Sequence, residues 1–247
     1  MSVSNPEQVV EGVEWDDFVA WFPTVWEQGE HVALIGPTGE GKTTVAAQLM
    51  LMRKYVLALD PKGGDSTLAK LETSHGFRRI TSWPPPREVY DEMEEGKPAR
   101  LIVGGKVRKL SEFATKLKPL FERALDGAFE QEGWTTYVDE LQLAADRRMM
   151  NLMAKIELML IASRDRKVTM VTSYQRPANV PKTASNQATW LIVYHTRDRD
   201  TVDVIAHMMG RPKDEVRGVV GVLPRYSVVI VNRSPRMPML VTMPDPL

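Results

Sequence analysis

Nine residues, Gly36-Pro37-Thr38-Gly39-Glu40-Gly41-Lys42-Thr43-Thr44, follow the short apolar run His31–Ile35 and open a stretch of helical period, Lys42–Leu51. They match the spacing G-x-x-x-x-G-K-[ST], and the strand before and helix after supply the context the motif needs. Glycines let the backbone curl so that its N–H groups point inward, and the helix start adds partial positive charge, so an anion is held where strand gives way to helix. Lys42 is then placed to reach the β- and γ-phosphates of a nucleoside triphosphate, and Thr43 to hold Mg²⁺. The expected ligands are ATP and Mg²⁺, with residues Gly36 through Thr44 as the cradle.

The rest of the chain repeats the same alternation. Apolar runs at residues 31–35, 55–59, 100–103, 135–138, 168–173, 190–194 and 226–231 are each bounded by Gly, Pro or polar residues. Such runs suit strands buried on both faces. Between them, residues 42–51, 110–129, 146–164 and 201–209 carry helical periodicity. Strand and helix in alternation predict an α/β fold around a mostly parallel sheet flanked by helices. The predicted organisation is an N-terminal arm at 1–30, a core domain at 31–233 and a Pro-rich tail at 234–247 that packs as an extended segment. In the arm, Trp15, Phe18, Phe22 and Val25 form an amphipathic stripe that Pro23 is expected to interrupt or kink. That face either packs on the domain or docks a protein partner.

A second motif follows the first by about a hundred residues. The β-prone run Thr135-Thr136-Tyr137-Val138 ends in Asp139-Glu140. Asp139, at the strand's C-terminal end, is the expected Mg²⁺ partner, and Glu140 the group that orients and deprotonates an attacking water. The alternative is a solvated Asp-Glu pair at a helix start. A carboxylate beside the metal ligand favours hydrolysis over small-molecule kinase chemistry, in which no water is activated.

Composition narrows the classes. Lys plus Arg and Asp plus Glu number 32 each, so no global field draws the molecule to nucleic acid or membrane, and any attraction must be local. From Met1 to His31 there are seven acids and no Lys or Arg; from Arg147 to Lys182 there are eight bases against two acids. With no cysteine, disulfides, thiolate metal sites and a Cys nucleophile are excluded. No apolar stretch is long enough for a membrane span, and a cytoplasmic protein is expected, in the host cytoplasm if viral.

Beyond Glu140 stand Ser163-Arg164-Asp165-Arg166-Lys167, the run Val168-Thr169-Met170-Val171-Thr172-Ser173, and Tyr174-Gln175-Arg176-Pro177. This segment resembles the helix, strand and T-Q-R-P signature of the FtsK/HerA superfamily of DNA-pumping ATPases, in which an Arg ends the helix and a Gln ends the strand. Asp60-Pro61-Lys62-Gly63 is similar to the D-P-K-G element of that superfamily, and residues 187–205 resemble its closing βα unit. The resemblance covers roughly residues 30–232 and implies a RecA-like P-loop NTPase. It further implies that Gln175 senses the γ-phosphate or the lytic water and that Arg164 is a finger donated across a subunit interface. Arg166, Arg197, Arg199 and Arg225 are rival fingers. The turn Asp165-Arg166-Lys167 replaces the family's Gly-containing one. The length leaves a bare motor domain, without the extra domains of FtsK or the barrel of HerA, as in the genome-packaging ATPases of viruses.

The resemblance thus implies a ring motor, a hexamer, that moves double-stranded DNA through its centre without reading sequence. Basic residues of the 147–182 window would contact phosphates, although such a window is also a common solvated face. The alternatives are a ring ATPase acting on protein, such as a loader or a secretion or morphogenesis motor, and an assembly subunit that binds ATP with little turnover. Glu140 speaks against the second.

Overall fold

The computed structural model describes residues 10–107, 109, 111–233 and 237–247, the side chains of Ser163 and Arg164 excepted. Its strands are β1 (Val10–Gly12), β2 (His31–Ile35), β3 (Tyr55–Leu59), β4 (Arg78–Ile80), β5 (Ala99–Val103), β6 (Thr135–Val138), β7 (Thr169–Tyr174), β8 (Ala188–Tyr194), β9 (Val228–Asn232) and β10 (Met239–Thr242). They form one sheet in the order β1-β10-β9-β8-β2-β7-β6-β3-β5-β4. Pairing is parallel from β8 through β4, while β9 runs against both of its neighbours. The expected α/β class with a mostly parallel sheet is borne out, and all seven apolar runs lie on strands.

The helices are α1 (Trp15–Val25), α2 (Lys42–Leu51), α3 (Ser66–Ser74), α4 (Arg87–Glu94), α5 (Lys118–Gln131), α6 (Leu141–Ala145), α7 (Met153–Ile161), α8 (Ser163–Arg166), α9 (Lys182–Gln187), α10 (Arg199–Met209) and α11 (Lys213–Val220). Among the described residues, no helix is long and apolar enough to cross a membrane.

Side-chain alternation explains the layering. Val32 and Leu34 of β2 face one core and Ala33 and Ile35 the other; Trp190, Ile192 and Tyr194 of β8 oppose Leu191 and Val193 in the same way. The first core is covered by α1, α2 and α3, the second by α5, α7, α10 and α11. The helix that follows β2 therefore covers one face, while those that follow its neighbours β7 and β8 cover the other. A crevice opens at such a switch point, outside the carboxyl ends of the strands.

Several expectations need correction. The helix expected at 146–164 is broken: Asp146 Oδ1 accepts from the backbone N–H groups of Arg148 (2.7 Å) and Met149 (3.1 Å), and Asn151 is left-handed with φ 50°. A local Asp turn has outcompeted the helix, which resumes as α7 and α8. The helix expected at 110–129 begins as a π-helical turn, Phe113–Leu117, before α5; Leu110 lies outside the described residues. Pro23 does not interrupt α1, which runs through it to Val25. Pro23 lies in the last turn, where Trp26 N–H still reaches Phe22 O at 2.9 Å and the rings of Phe22 and Trp26 stack at 5.1 Å. Trp15, Phe18 and Phe22 are buried on the sheet, with Phe22 edge-on to Trp190 at 4.8 Å, so the stripe packs on the domain.

Candidate nucleotide site

The loop between β2 and α2 lies in the crevice. Gly41 is left-handed, φ 92°, and N-caps α2, a conformation that costs glycine no Cβ clash. Gly36 is required for a different reason: a Cβ there would stand 2.5 Å from the Cβ of Tyr194. Pro37, Thr38 and Gly39 are exposed, whereas Glu40, Gly41, Thr43 and Thr44 are half-buried. Lys42 is 8% exposed, and its ammonium donates to the carbonyls of Gly36 (2.8 Å) and Pro37 (2.7 Å). Burial lowers its pKa, an effect the Glu140 and Asp139 carboxylates partly offset.

Those carboxylates come from the end of β6, two strands away across β7. Asp139 is 4% exposed. Its Oδ1 accepts from the Tyr137 hydroxyl (2.9 Å) and the Ser173 hydroxyl (3.0 Å), and Lys62 Nζ lies 3.7 Å from its Oδ2. Desolvation and the Asp139 charge both raise the Tyr137 pKa, which keeps the phenol a donor.

Glu140 N-caps α6 in the left-handed region, φ 53° and ψ 63°, with its N–H donating to Ser173 Oγ at 3.2 Å. Its carboxylate accepts from Lys62 at 3.0 Å. Asp139 is thus buried and Glu140 half-buried, and both are partnered rather than freely solvated. Burial works to lower the Lys62 pKa, but Asp139 and Glu140 together raise it. The loop bearing Lys62 is anchored by buried Asp60, which accepts from Gly63 N–H and from Arg79 Nη1, both at 2.8 Å.

Gln175 follows β7 immediately. Tyr174 pairs with Ile35, and Tyr174 O accepts from Gly36 N–H at 3.2 Å, so Gln175 stands between the phosphate loop and the carboxylate pair. Lys42, Thr43, Asp139, Glu140 and Gln175 are therefore brought together. The backbone of Arg164 lies in α8, before β7 begins, and its side chain lies outside the described residues. The six residues of β7 put α8 about 20 Å from Gln175. Of the rivals, Arg166 pairs with Glu132, and Arg197 and Arg225 line a cleft with Glu40 of their own phosphate loop; Arg199 opens α10.

Sequence reasoning missed Tyr137, Ser173 and the role of Lys62. Tyr137 stands two residues before Asp139, and strand periodicity puts both on one side of the chain, a signal present in the sequence; Ser173 reaches Asp139 only through the pairing of β6 with β7. Lys62 was visible only as part of the Asp60–Gly63 segment.

The donor set fits Mg²⁺. Among the described residues, no group of three or more His, Asp or Glu could hold a metal ion alone. One hydroxyl and one carboxylate, Thr43 and Asp139, are what a cation bound mainly through substrate phosphates and water asks of the protein.

No protein-family model matches the sequence, and no curated protein matches it significantly. Solved structures do. The genome-packaging NTPase B204 of Sulfolobus turreted icosahedral virus 2, in complex with sulfate, superposes with a TM-score of 0.61 at 16% identity, over 89% of this chain and 98% of that one. The chain has the fold of that packaging NTPase. VirB4 of Thermoanaerobacter pseudethanolicus shares the fold at TM-score 0.60 and 11% identity, over 88% of this chain and 89% of that one. The pCW3 conjugation coupling protein TcpA, with ATPγS, gives 0.50 at 14% identity, over 87% of this chain and 59% of that one. The likeness drawn from the Gln175 segment is borne out at the level of the fold.

The buried carboxylate offers a direct test. In a double-mutant cycle of Tyr137→Phe and Asp139→Ala, read by urea unfolding, the coupling should be about 1.5–3 kcal/mol, the value of a hydrogen bond to a charged group. Additive effects would show that Tyr137 does not hold Asp139.

Proposed function

We propose that the chain is a Mg²⁺-dependent ATPase motor of the FtsK/HerA type, assembled as a hexameric ring, that translocates double-stranded DNA, as in viral genome packaging. The observation that carries this reading is the convergence of Lys42, Thr43, Asp139, Glu140 and Gln175 at the carboxyl ends of β2, β6 and β7, on a fold shared with a packaging NTPase.

Each residue has a role that follows from its setting. Backbone N–H groups of the loop and the Lys42 ammonium hold the phosphates; Lys42, now on its own carbonyls, exchanges those partners for phosphate oxygens. Thr43 and Asp139 hold Mg²⁺, which when bound offsets charge on the β- and γ-phosphoryl oxygens. Glu140 takes the proton of the attacking water, and the Gln175 amide orients that water or senses the γ-phosphate. The left-handed backbone at Glu140 is a conformation non-glycine residues keep where the surroundings impose it, often at functional sites.

Assembly enters through Arg164. The backbone of Arg164 lies in α8, at the opposite end of β7 from the phosphate loop of its own subunit, which supports a finger given to a neighbour's site. The basic window is not one patch: Lys155 pairs with Asp126 and Arg166 with Glu132, while Arg147 and Arg148 are exposed and make no ion pair with a described residue. Arg147 and Arg148, in the turn after α6, and the likewise exposed Lys167 and Arg176 are bases of this window open to DNA phosphates.

Binding and hydrolysis should separate by mutation. Lys42→Ala should abolish ATP binding, whereas Glu140→Gln should bind ATP and turn it over slowly, because it spares the phosphate contacts. Wild-type turnover by Glu140→Gln would refute the role of that carboxylate. For the finger, Arg164→Ala and Lys42→Ala subunits should each be inactive alone, yet regain single-turnover hydrolysis in mixed rings of verified assembly. An Arg164 acting in cis gives no rescue.

A further inference from the structure

Two acids and two lysines meet in the candidate site, and their charges cancel. Lys62 pairs with both carboxylates, at 3.7 Å from Asp139 and 3.0 Å from Glu140, and Lys42 lies within electrostatic range of all three groups. Lys42 has a task in the reading above; Lys62 has none. We propose that Lys62 is a charge placeholder: its ammonium neutralises the carboxylate pair so that Mg²⁺ enters only together with nucleotide, and it then leaves Asp139 while keeping Glu140. The proposal rests on the reading of Thr43 and Asp139 as the Mg²⁺ partners.

The two oxygens of Asp139 are used differently. Oδ1 accepts from the Tyr137 hydroxyl at 2.9 Å and the Ser173 hydroxyl at 3.0 Å, so the strands hold it. Oδ2 faces Lys62 at 3.7 Å, an ion pair beyond hydrogen-bond length. A cation that takes Oδ2 therefore displaces Lys62 without breaking a hydrogen bond. The hydrogen bond Lys62 does make goes to Glu140 Oε1, at 3.0 Å, and it survives that exchange.

Exposed ion pairs are usually of little consequence, but this one joins a clamped loop to buried acid. The side chain of Asp139 is 6% exposed and that of Lys62 50%. Pro61 and Gly63, on either side of Lys62, are buried. Gly63 is left-handed, φ 65°, a Cβ there would stand 2.3 Å from Gly105 O, and its N–H is held by Asp60. The backbone is thus fixed, and the four-carbon stem of Lys62 is what moves. Two further acids in range are engaged elsewhere. Asp65 caps α3 by accepting from the Thr67 and Leu68 N–H groups, and Glu40 faces the Tyr226 N–H at 3.4 Å.

Net charge decides what enters. With both lysines in place the cluster is neutral, and a bare divalent cation adds its full charge to a partly buried site, where charges interact more strongly than in water. A nucleoside triphosphate carries more negative charge than Mg²⁺ offsets, so metal and nucleotide are admitted together where metal alone is repelled. Without Lys62 the cluster is anionic and attracts a bare cation.

Mn²⁺, which shares the preference of Mg²⁺ for oxygen ligands, reads the exchange by electron paramagnetic resonance on the full chain, alone and with ATPγS. Lys62→Met should bind Mn²⁺ without nucleotide about tenfold or more tightly than wild type does. Lys62→Arg should keep the exclusion, and adding Asp139→Asn to Lys62→Met should remove the gained site; a merely structural lysine moves none of these readings. Urea unfolding checks that the variants fold, which the exposure of the Lys62 side chain favours. Equal affinity for Mn²⁺ alone in wild type and Lys62→Met, an equal gain in Lys62→Arg, or a gained site that survives Asp139→Asn overturns the placeholder. If wild type binds no Mn²⁺ even with ATPγS, or Asp139→Asn binds it undiminished, the Mg²⁺ reading itself fails and takes the placeholder with it.

Discussion

A carboxylate withdrawn from water governs the arrangement of this site. An isolated buried charge is costly by several kcal/mol unless hydrogen bonds and an opposite charge compensate it. Asp139 has both: hydroxyls from its own strand and from β7, and an ammonium from the loop after β3. Satisfying that one group fixes the relative positions of three strand ends. The position of Glu140 follows, since its N–H is tied to the same Ser173 hydroxyl that donates to Asp139.

Lys42 is the complementary case. Its burial is tolerated because two loop carbonyls accept from it and because the carboxylates of β6 lie close enough to favour the charged form. The anion is held by partners from β6, β7 and the loop after β3, and the cation by two carbonyls of its own loop. Such a site is organised by the sheet, where strand pairing sets positions to within a residue, more than by its loops.

How much of this was legible follows from the physics of each element. Strands buried on both faces announce themselves as apolar runs, so β2, β3 and β5 through β9 could be read directly. Three- and four-residue strands at or near the sheet edges, such as Arg78-Arg79-Ile80, carry no such signature. The broken helix after Asp146 was hidden because an Asp turn and a helix share the same apolar spacing until hydrogen bonds decide between them. At the site, Gly36 through Thr44, Asp139, Glu140 and Gln175 were legible because their spacing is local to one strand end each. Lys62 was not, because its pairing with Asp139 and Glu140 joins residues nearly eighty positions apart.

The central claim is that this site drives movement along duplex DNA. Steady-state ATP turnover by assembled wild-type protein, with Mg²⁺ and with or without long duplex DNA, tests it most directly. The account predicts turnover that rises with DNA, independently of its sequence, and that loses this stimulation as salt displaces the phosphate contacts. Turnover that is the same with and without DNA at low salt would contradict it, and would direct the search to a protein substrate.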